Sequence, residues 1–470
     1  MTLRELMGNG PSDVEIEALA YSSERVTPGA LFFCVPGFRS DGHDFAPDAV
    51  RRGAVALVCE RPLGLGVPEV IVDDVRAAMA PAAVRFFGDP TAELDVVGIT
   101  GTNGKTTTAF LVRHLLEAGG RKCGLLGTVK SVVGGREEEV ERTTPEGIDL
   151  QATFRRMLDG GDRACAMEVS SHALQLGRVA GIRFACRAFT NLSQDHLDFH
   201  KTMDAYFAAK RRLFDGDGPA VVNADDEYGR RLAGEIECRT FAIERDADYR
   251  ALDVEFDLAR ARFRCVTPAG EVELTSPLPG RFNVSNALGA IAAVSELGLG
   301  LDAIAGSLPR FEGVPGRFEP VDEGQDFGVL VDYAHTPDAL ENVLRAAREL
   351  TQGRLHVVFG AGGDRDTDKR PKMGEAARLL ADRVLVTSDN PRSEDPDAII
   401  DQVMAGAGPG AERITDRRAA IAHAIETAAP GDVVVIAGKG HEQGQEFEGG
   451  RKEPFDDCSV AREALRAVRA

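Results

Sequence analysis

Short apolar runs recur along the chain, separated by polar or glycine-bearing stretches. In the first ninety or so residues Leu31 to Val35, Ala54 to Cys59 and Glu69 to Val72 are β-rich runs alternating with helical stretches, and Gly88-Asp89-Pro90-Thr91 closes the segment as a turn cluster. A second α/β segment opens at Val96 to Thr100, passes through a glycine-rich turn into an amphipathic helix bearing Phe110, Leu111, His114 and Leu115, and extends to about Phe311. The Gly/Pro-rich stretch Glu312 to Arg317 separates it from a third segment of regular β-α units. Its strands are expected at Val329 to Asp332, Leu355 to Phe359, Arg383 to Thr387 and Asp432 to Ala437, with a helix starting at Thr336-Pro337. Such alternation predicts a parallel, doubly wound sheet. The fold class is therefore α/β in three domains, bounded at 1–92, 93–318 and 319–470.

Each strand of the third segment ends in a polar or glycine-bearing loop: Tyr333-Ala-His335, Gly360 to Asp366, Ser388 to Arg392, and Gly438-Lys-Gly-His-Glu442. Open α/β sheets bind ligands at the carboxyl ends of their strands, so this domain reads as a binding domain of its own. The length of 470 residues agrees with two to four domains, and 43% hydrophobic with 28% charged residues describes a globular protein. A net charge of −20 opposes general attraction to nucleic acid or anionic lipid, so any phosphate must be captured locally. The start lacks a basic-then-apolar leader, and no apolar run is long enough to span a bilayer; a cytoplasmic protein without membrane insertion is expected. The eight cysteines are scattered with no C-x-x-C spacing, as expected of reduced, mostly buried thiols.

Gly101-Thr102-Asn103-Gly104-Lys105-Thr106-Thr107 lies between an apolar strand and an amphipathic helix, the context of a phosphate loop. Backbone N–H groups and the positive helix end would cradle phosphates, Lys105 would reach the outer ones, and the Thr106 or Thr107 hydroxyl would ligate magnesium. Ile99 stands where the longer pattern has its first glycine, so the loop is a shorter variant. The alternative is a glycine turn with a solvated lysine.

Downstream come Met167-Glu168-Val-Ser170-Ser171-His172 and Asn191 to Asp198. Polar groups after apolar runs suit magnesium, which takes one or two protein ligands and leaves the rest to phosphate and water; Glu168 and His196 are the candidates. Zinc is disfavoured by the absence of His/Cys ligand spacing, and Asp198 and His200 read mainly as structural. Lys210 falls in the middle of the apolar stripe Met203, Tyr206, Phe207, Leu213 and Phe214. Either desolvation makes its amine available for covalent chemistry, or its stem packs while the ammonium snorkels to water. Periodicity leaves the two readings level.

Together these motifs resemble the Mur ligase family, of which folylpolyglutamate synthetase is a more distant relative, over nearly the whole chain. The resemblance implies an N-terminal UDP-sugar-binding domain, a central ATP-binding domain and a C-terminal Rossmann-like domain that brings the incoming amino acid. It implies carbamylation of Lys210 by carbon dioxide, giving an N6-carboxylysine that helps hold Mg2+ with Thr106, Glu168 and His196. Asn286, Arg317 and Asp332 match nucleotide-contacting positions. Ser22 to Gly29 is similar to the family's D-S-R-x-V-x-P-G, with Ser22 and Glu24 as departures, and Ser23 matches a uridine contact. Phe38, Arg39 and Ser40 lie at the uridine diphosphate position, and Thr143, Thr144, Ser170 and Arg178 align with muramyl-peptide contacts. Leu176 stands where the family often has Gln, and that role is not carried over.

Asp389-Asn390-Pro391-Arg392 resembles the signature of members that accept meso-diaminopimelate. The far end of that substrate bears an ammonium and a carboxylate: Arg392 and Arg365 suit the carboxylate, Asp389 and Glu442 the ammonium, with Gly438 beside them. The alternative is a surface Asn-Pro turn. The implied reaction is ATP-dependent formation of an acyl phosphate on the D-glutamate of UDP-N-acetylmuramoyl-L-alanyl-D-glutamate, followed by amine attack, with Lys105, Lys210, His196 and Glu168 at the chemistry. Small-molecule substrates, a monomeric state and hinge closure near residue 319 are expected. Rival readings are the lysine-adding member, a folylpolyglutamate synthetase-like ligase, and a nucleotide-dependent switch that hydrolyses ATP without ligation.

Overall fold

The computed structural model describes residues 1–8, 10, 12–37 and 40–469. Contacts divide the chain into two compact units, one of residues 1–192, 196–240 and 289–299, the other of 193–195, 241–288 and 300–470.

The first unit contains two parallel arrays. Ala18–Ala20, Ala30–Phe33, Ala54–Cys59 and Glu69–Ile71 pair in chain order, all parallel. The first of these strands was not anticipated, because three residues of Ala-Leu-Ala carry no strand periodicity. In the second array Asp95–Thr100 lies between Ala164–Glu168 and Phe184–Phe189, with Cys123–Leu126 and Ala220–Asn223 beyond them, again parallel. Five of the six residues of Asp95–Thr100 are buried, as expected of a strand covered on both faces. Helix Lys105–Ala118 follows directly, so the turn between them sits at the carboxyl end of a central strand.

The second unit holds an antiparallel meander, Tyr249–Phe256, Ala261–Thr267 and Gly270–Ser276. It also holds the doubly wound sheet that the β-α alternation predicts. Gly328–Asp332, Val433–Ala437, Leu355–Phe359, Arg383–Val386 and Glu412–Arg413 are parallel in that spatial order, and Glu319–Pro320 adds an antiparallel edge. Apolar clusters around Leu344 and Met373 on one face and Ile421 and Leu465 on the other fill both sides. Helix Pro337–Leu350 starts where expected, with the Thr336 hydroxyl accepting from Ala339 N. Among the described residues no helix is long and apolar enough to cross a membrane. All eight cysteines are free thiols, and seven are buried.

Candidate functional site

The phosphate loop is held from behind by Thr190 and Asn191, at the tip of the neighbouring strand. Thr102 N donates to Asn191 O (2.9 Å), Asn103 N to Asn191 Oδ1 (2.9 Å), and the Thr190 hydroxyl to Asn103 O (2.6 Å). Gly101 is required by this packing, since a Cβ there would stand 1.9 Å from Thr190 Oγ1. Gly104 has φ +82° and begins helix Lys105–Ala118, so the first helical N–H groups face the loop. Lys105 Nζ donates to the carbonyls of Gly101 (2.9 Å) and Thr102 (2.7 Å). Sequence singled out the loop but not its buttress, for which the only signal is position at a strand end.

Lys210 is 1% exposed. Its ammonium donates to Gly101 O at 2.7 Å and lies 4.6 Å from the centre of the Tyr206 ring. The snorkelling alternative is therefore wrong: the stem packs, and the head turns into the phosphate loop rather than to water. Helix Met203–Arg211, capped by Thr202, places it there. His196 has φ +54° at the start of Leu197–His200, and its ring stands edge-on to His172 with centroids 4.8 Å apart. His200 is tied to Ser171 Oγ (2.9 Å), and burial, then the neighbouring charges, push its imidazole down to about 4.

Glu168 is buried, accepting from Thr128 N at 2.8 Å and the Thr128 hydroxyl at 3.2 Å. Among the described residues no three His, Cys, Asp or Glu side chains converge on one point. Glu168 and the Thr106 hydroxyl are hard oxygen donors, and a sparse set of this kind fits magnesium, which fills its remaining positions with phosphate and water. The muramyl-peptide candidates gather beside Glu168. Thr144 Oγ1 donates to Glu168 O (2.9 Å) and accepts from Ser170 N (3.1 Å), while Thr143 Oγ1 meets Thr128 Oγ1 at 3.0 Å. Arg178 Nε lies 2.9 Å from Glu146, a buried carboxylate that also pairs Arg76 (2.9 Å) and Arg142 (3.3 Å). Glu146 was not anticipated, because its three partners are spread over the sequence. Ser23 is buried in the short helix Ser23–Arg25, and Ser40 is exposed. Phe38 and Arg39 lie outside the described residues.

Asn286, Arg317 and Asp332 belong to the second unit. Asp332 accepts from Phe318 N (2.8 Å) and Ala334 N (2.9 Å), and burial raises its carboxyl against the pull of Arg317. Arg317 stacks over Tyr333 at 5.0 Å, and Asn286 Nδ2 donates to Asn283 Oδ1 at 3.1 Å.

The strand-tip loops of the doubly wound sheet bring the amine candidates together. Arg392, at φ +52°, donates from Nε to Glu446 (2.9 Å) and from Nη1 to Gly363 O (2.8 Å). Arg365 is exposed and has no carboxylate partner among the described residues. Asp389 and Asn390 are buried, and Pro391 O packs against Gly363, where a Cβ would come within 1.9 Å. Gly438, at φ +122°, likewise leaves room for Asp389 Oδ2, which a Cβ would approach to 2.8 Å. Asn390 turns inward: its Oδ1 accepts from Lys439 Nζ (2.8 Å) and Glu446 N (2.9 Å), and its Nδ2 donates to Glu442 Oε2 (2.8 Å). Lys439 and Glu446 were missed by the sequence reading, since nothing local distinguishes them from solvated charges.

Parallel sheets with polar loops at their strand tips, one bearing a phosphate loop and the other an acid-and-arginine cluster, define a modular nucleotide-binding enzyme. The Mur ligase family catalytic domain matches residues 15–86, the Mur ligase middle domain 99–294, and the Mur ligase glutamate ligase domain 316–440. The UDP-N-acetylmuramoyl-L-alanyl-D-glutamate--2,6-diaminopimelate ligase of Geobacillus thermodenitrificans is 48% identical over 471 residues, spanning 97% of this chain and 96% of its own. The enzyme of that name from Syntrophomonas wolfei is 46% identical, with 99% of each chain covered. A solved structure carrying the same name superimposes with a TM-score of 0.74 at 34% identity, covering 100% of this chain and 99% of that one. The MurF ligase of Thermotoga maritima in complex with ADP, 19% identical with a TM-score of 0.63 and covering 97% and 98%, shares the fold. The chain belongs to the Mur ligase family.

Proposed function

We propose that this chain couples meso-2,6-diaminopimelate to UDP-N-acetylmuramoyl-L-alanyl-D-glutamate, an ATP-driven amide synthesis in the assembly of peptidoglycan precursors. The observation that carries the reading is the loop Asp389 to Arg392 with Glu442 beside it, where cationic and anionic side chains stand at one sheet edge. A zwitterionic end group needs both, and lysine offers only the ammonium.

In this reading the D-glutamate side carboxylate attacks the γ-phosphorus of ATP, and ADP leaves. The amine then attacks the acyl phosphate carbon, the C–N bond forms, and inorganic phosphate departs as the amine gives up a proton. Lys105 and the N-terminal amides of helix Lys105–Ala118 neutralise charge on the transferring group. Magnesium, held by Thr106, Glu168, His196 and Lys210, supplies further neutralisation when bound. Lys210 serves as a carbamate: its neutral nitrogen adds to carbon dioxide with loss of a proton. Its burial supports this, since desolvation favours the uncharged amine. Thr143, Thr144, Ser170 and Arg178 take the muramyl peptide, and Ser23, Phe38, Arg39 and Ser40 the UDP end. Asn286, Arg317 and Asp332 take the nucleoside of ATP. The reading places the reaction in the cytoplasm, on a monomer, and the eight free thiols agree with a reducing compartment.

The test offers diaminopimelate and lysine together with the UDP-muramyl dipeptide and ATP, and reads product masses. Diaminopimelate adduct is expected. Exclusive lysine adduct would overturn the choice of amine, and ATP hydrolysis without either adduct would overturn the ligase reading.

A further inference from the structure

Lys439 is 0% exposed although it sits in a strand-tip loop. The strands that precede it and the Asp389 loop, Val433–Ala437 and Arg383–Val386, are separated by Leu355–Phe359, so its side chain must cross the tip of that middle strand. The middle strand is followed by Gly360, where a Cβ would come within 2.3 Å of Thr387 O, so the backbone of the Asp389 loop packs closely over that tip. Beyond that point the ammonium donates to two acceptors, Asn390 Oδ1 at 2.8 Å and Glu442 Oε2 at 3.0 Å, and forms an ion pair with Asp389 Oδ1 at 3.5 Å.

A second buried cation lies below, but it is committed elsewhere. Arg417 spends its fork on Asp457 (2.8 and 2.6 Å) and on Ala437 O (3.1 Å), both side chains being fully buried. Lys439 is thus the cation in direct contact with both carboxylates assigned to the substrate ammonium. Burying a charged lysine is costly unless it is paired, and an apolar side chain would fill the same space without that cost. Packing does not ask for it; the charge does. One ammonium between two carboxylates leaves a single net negative charge, matched to one ammonium of a ligand. It also orients Glu442, whose Oε2 is occupied by Asn390 and Lys439 while Oε1 has no hydrogen-bond partner among the described residues.

We propose that Lys439 is a positioning residue for the choice of amine: it locks Asp389, Asn390 and Glu442 into one arrangement and sets their charge so that diaminopimelate is taken over lysine. The inference rests on the ligase reading above. Without Lys439 the two carboxylates repel each other and the extra carboxylate of diaminopimelate, whereas lysine loses less.

Lys439→Gln keeps polarity and removes charge, and Lys439→Met removes both. Expected for each is a rise of about tenfold or more in KM for diaminopimelate, the worth of one charge-assisted hydrogen bond. KM for ATP and for the UDP-muramyl dipeptide stays within about twofold, and the lysine share of product in direct competition rises. Adding Glu442→Gln to Lys439→Met recovers thermal stability, because it removes the orphaned charge, and leaves KM for diaminopimelate raised, because Glu442 is itself assigned to the substrate ammonium. A Lys439→Gln enzyme with the native KM and amine preference, a parallel shift of all three KM values, or variants that fail to fold would overturn the proposal, which assigns Lys439 to the loops and not to the core. A wild-type chain that couples neither amine would overturn the ligase reading itself, and the role of Lys439 with it.

Discussion

At Gly101 a single missing methyl decides whether the phosphate loop forms, because Thr190 Oγ1 occupies the place a Cβ would take. Gly101→Ala is expected to cost about 2 kcal/mol by overpacking and to weaken nucleotide binding, measured by denaturant unfolding and ADP titration. Thr190→Ala in the same chain relieves the clash and recovers part of both; no recovery would mean that the loop is strained for another reason. Lys105 presents a different case, a side chain that donates to the Gly101 and Thr102 carbonyls of its own loop and that the proposed reaction uses for charge neutralisation. Lys105→Met should lower kcat by about a hundredfold to a thousandfold with an unchanged thermal midpoint, since phosphoryl transfer loses its charge stabilisation. The loop itself was legible because G-T-N-G-K-T couples residue types to a strand-turn-helix context. The direction of Lys210 was not, since a helical stripe fixes the face a side chain occupies but not where a four-carbon stem ends.

Among the elements, the helix Lys369–Leu380 is anchored by a charge inside the fold. Arg370 is 0% exposed and grips Glu394 through both of its terminal nitrogens, at 2.8 Å each. These bonds, with the Asp364 N–H, hold the Glu394 carboxyl down to about 2 from its ordinary 4.5. A carboxyl depressed in the folded state contributes fully above its unfolded pKa and loses that contribution as pH falls through the folded value. Stability should therefore decline between about pH 4.5 and 2, and Glu394→Gln should flatten that decline while costing about 2 kcal/mol at neutral pH, read by chemical denaturation across pH. Arg187 works similarly in the central sheet, where its buried guanidinium binds the carbonyls of Gly216, Asp217 and Gly218 ahead of strand Ala220–Asn223. Arg187→Met should cost about 3 kcal/mol, visible as a thermal midpoint lower by several degrees. The four expected strands of the last sheet were readable because fully buried parallel strands are continuous apolar runs with polar tips. The meander Tyr249 to Ser276 was not, because its strands alternate and carry charges such as Arg264 and Glu271, which pair across neighbouring strands at 2.9 Å. Buried Arg370, Arg417 and Lys439 look in sequence like any solvated charge, and only tertiary partners separate them.

For the molecule as a whole, Lys105 and Arg392 belong to different compact units, and the proposed reaction requires an acyl phosphate formed beside the one to meet an amine held beside the other. Small-angle scattering with a nonhydrolysable ATP analogue and both substrates should show a smaller radius of gyration than the free chain; an unchanged radius would remove closure from the reaction cycle. The turn ahead of Glu319–Pro320 bears on the proposed amine site. Gly316, at φ +63°, lies so close to the Gly440-His441 backbone that a Cβ would meet His441 N at 2.1 Å, and its carbonyl accepts from Tyr333 N at 2.9 Å. A side chain at 316 would wedge aside the loop that carries Lys439 and Glu442. Under the proposed function, genetic screens that recover substitutions in this turn would be detecting lesions in amino-acid recognition, and their carriers should respond to surplus diaminopimelate as do mutants of the pocket.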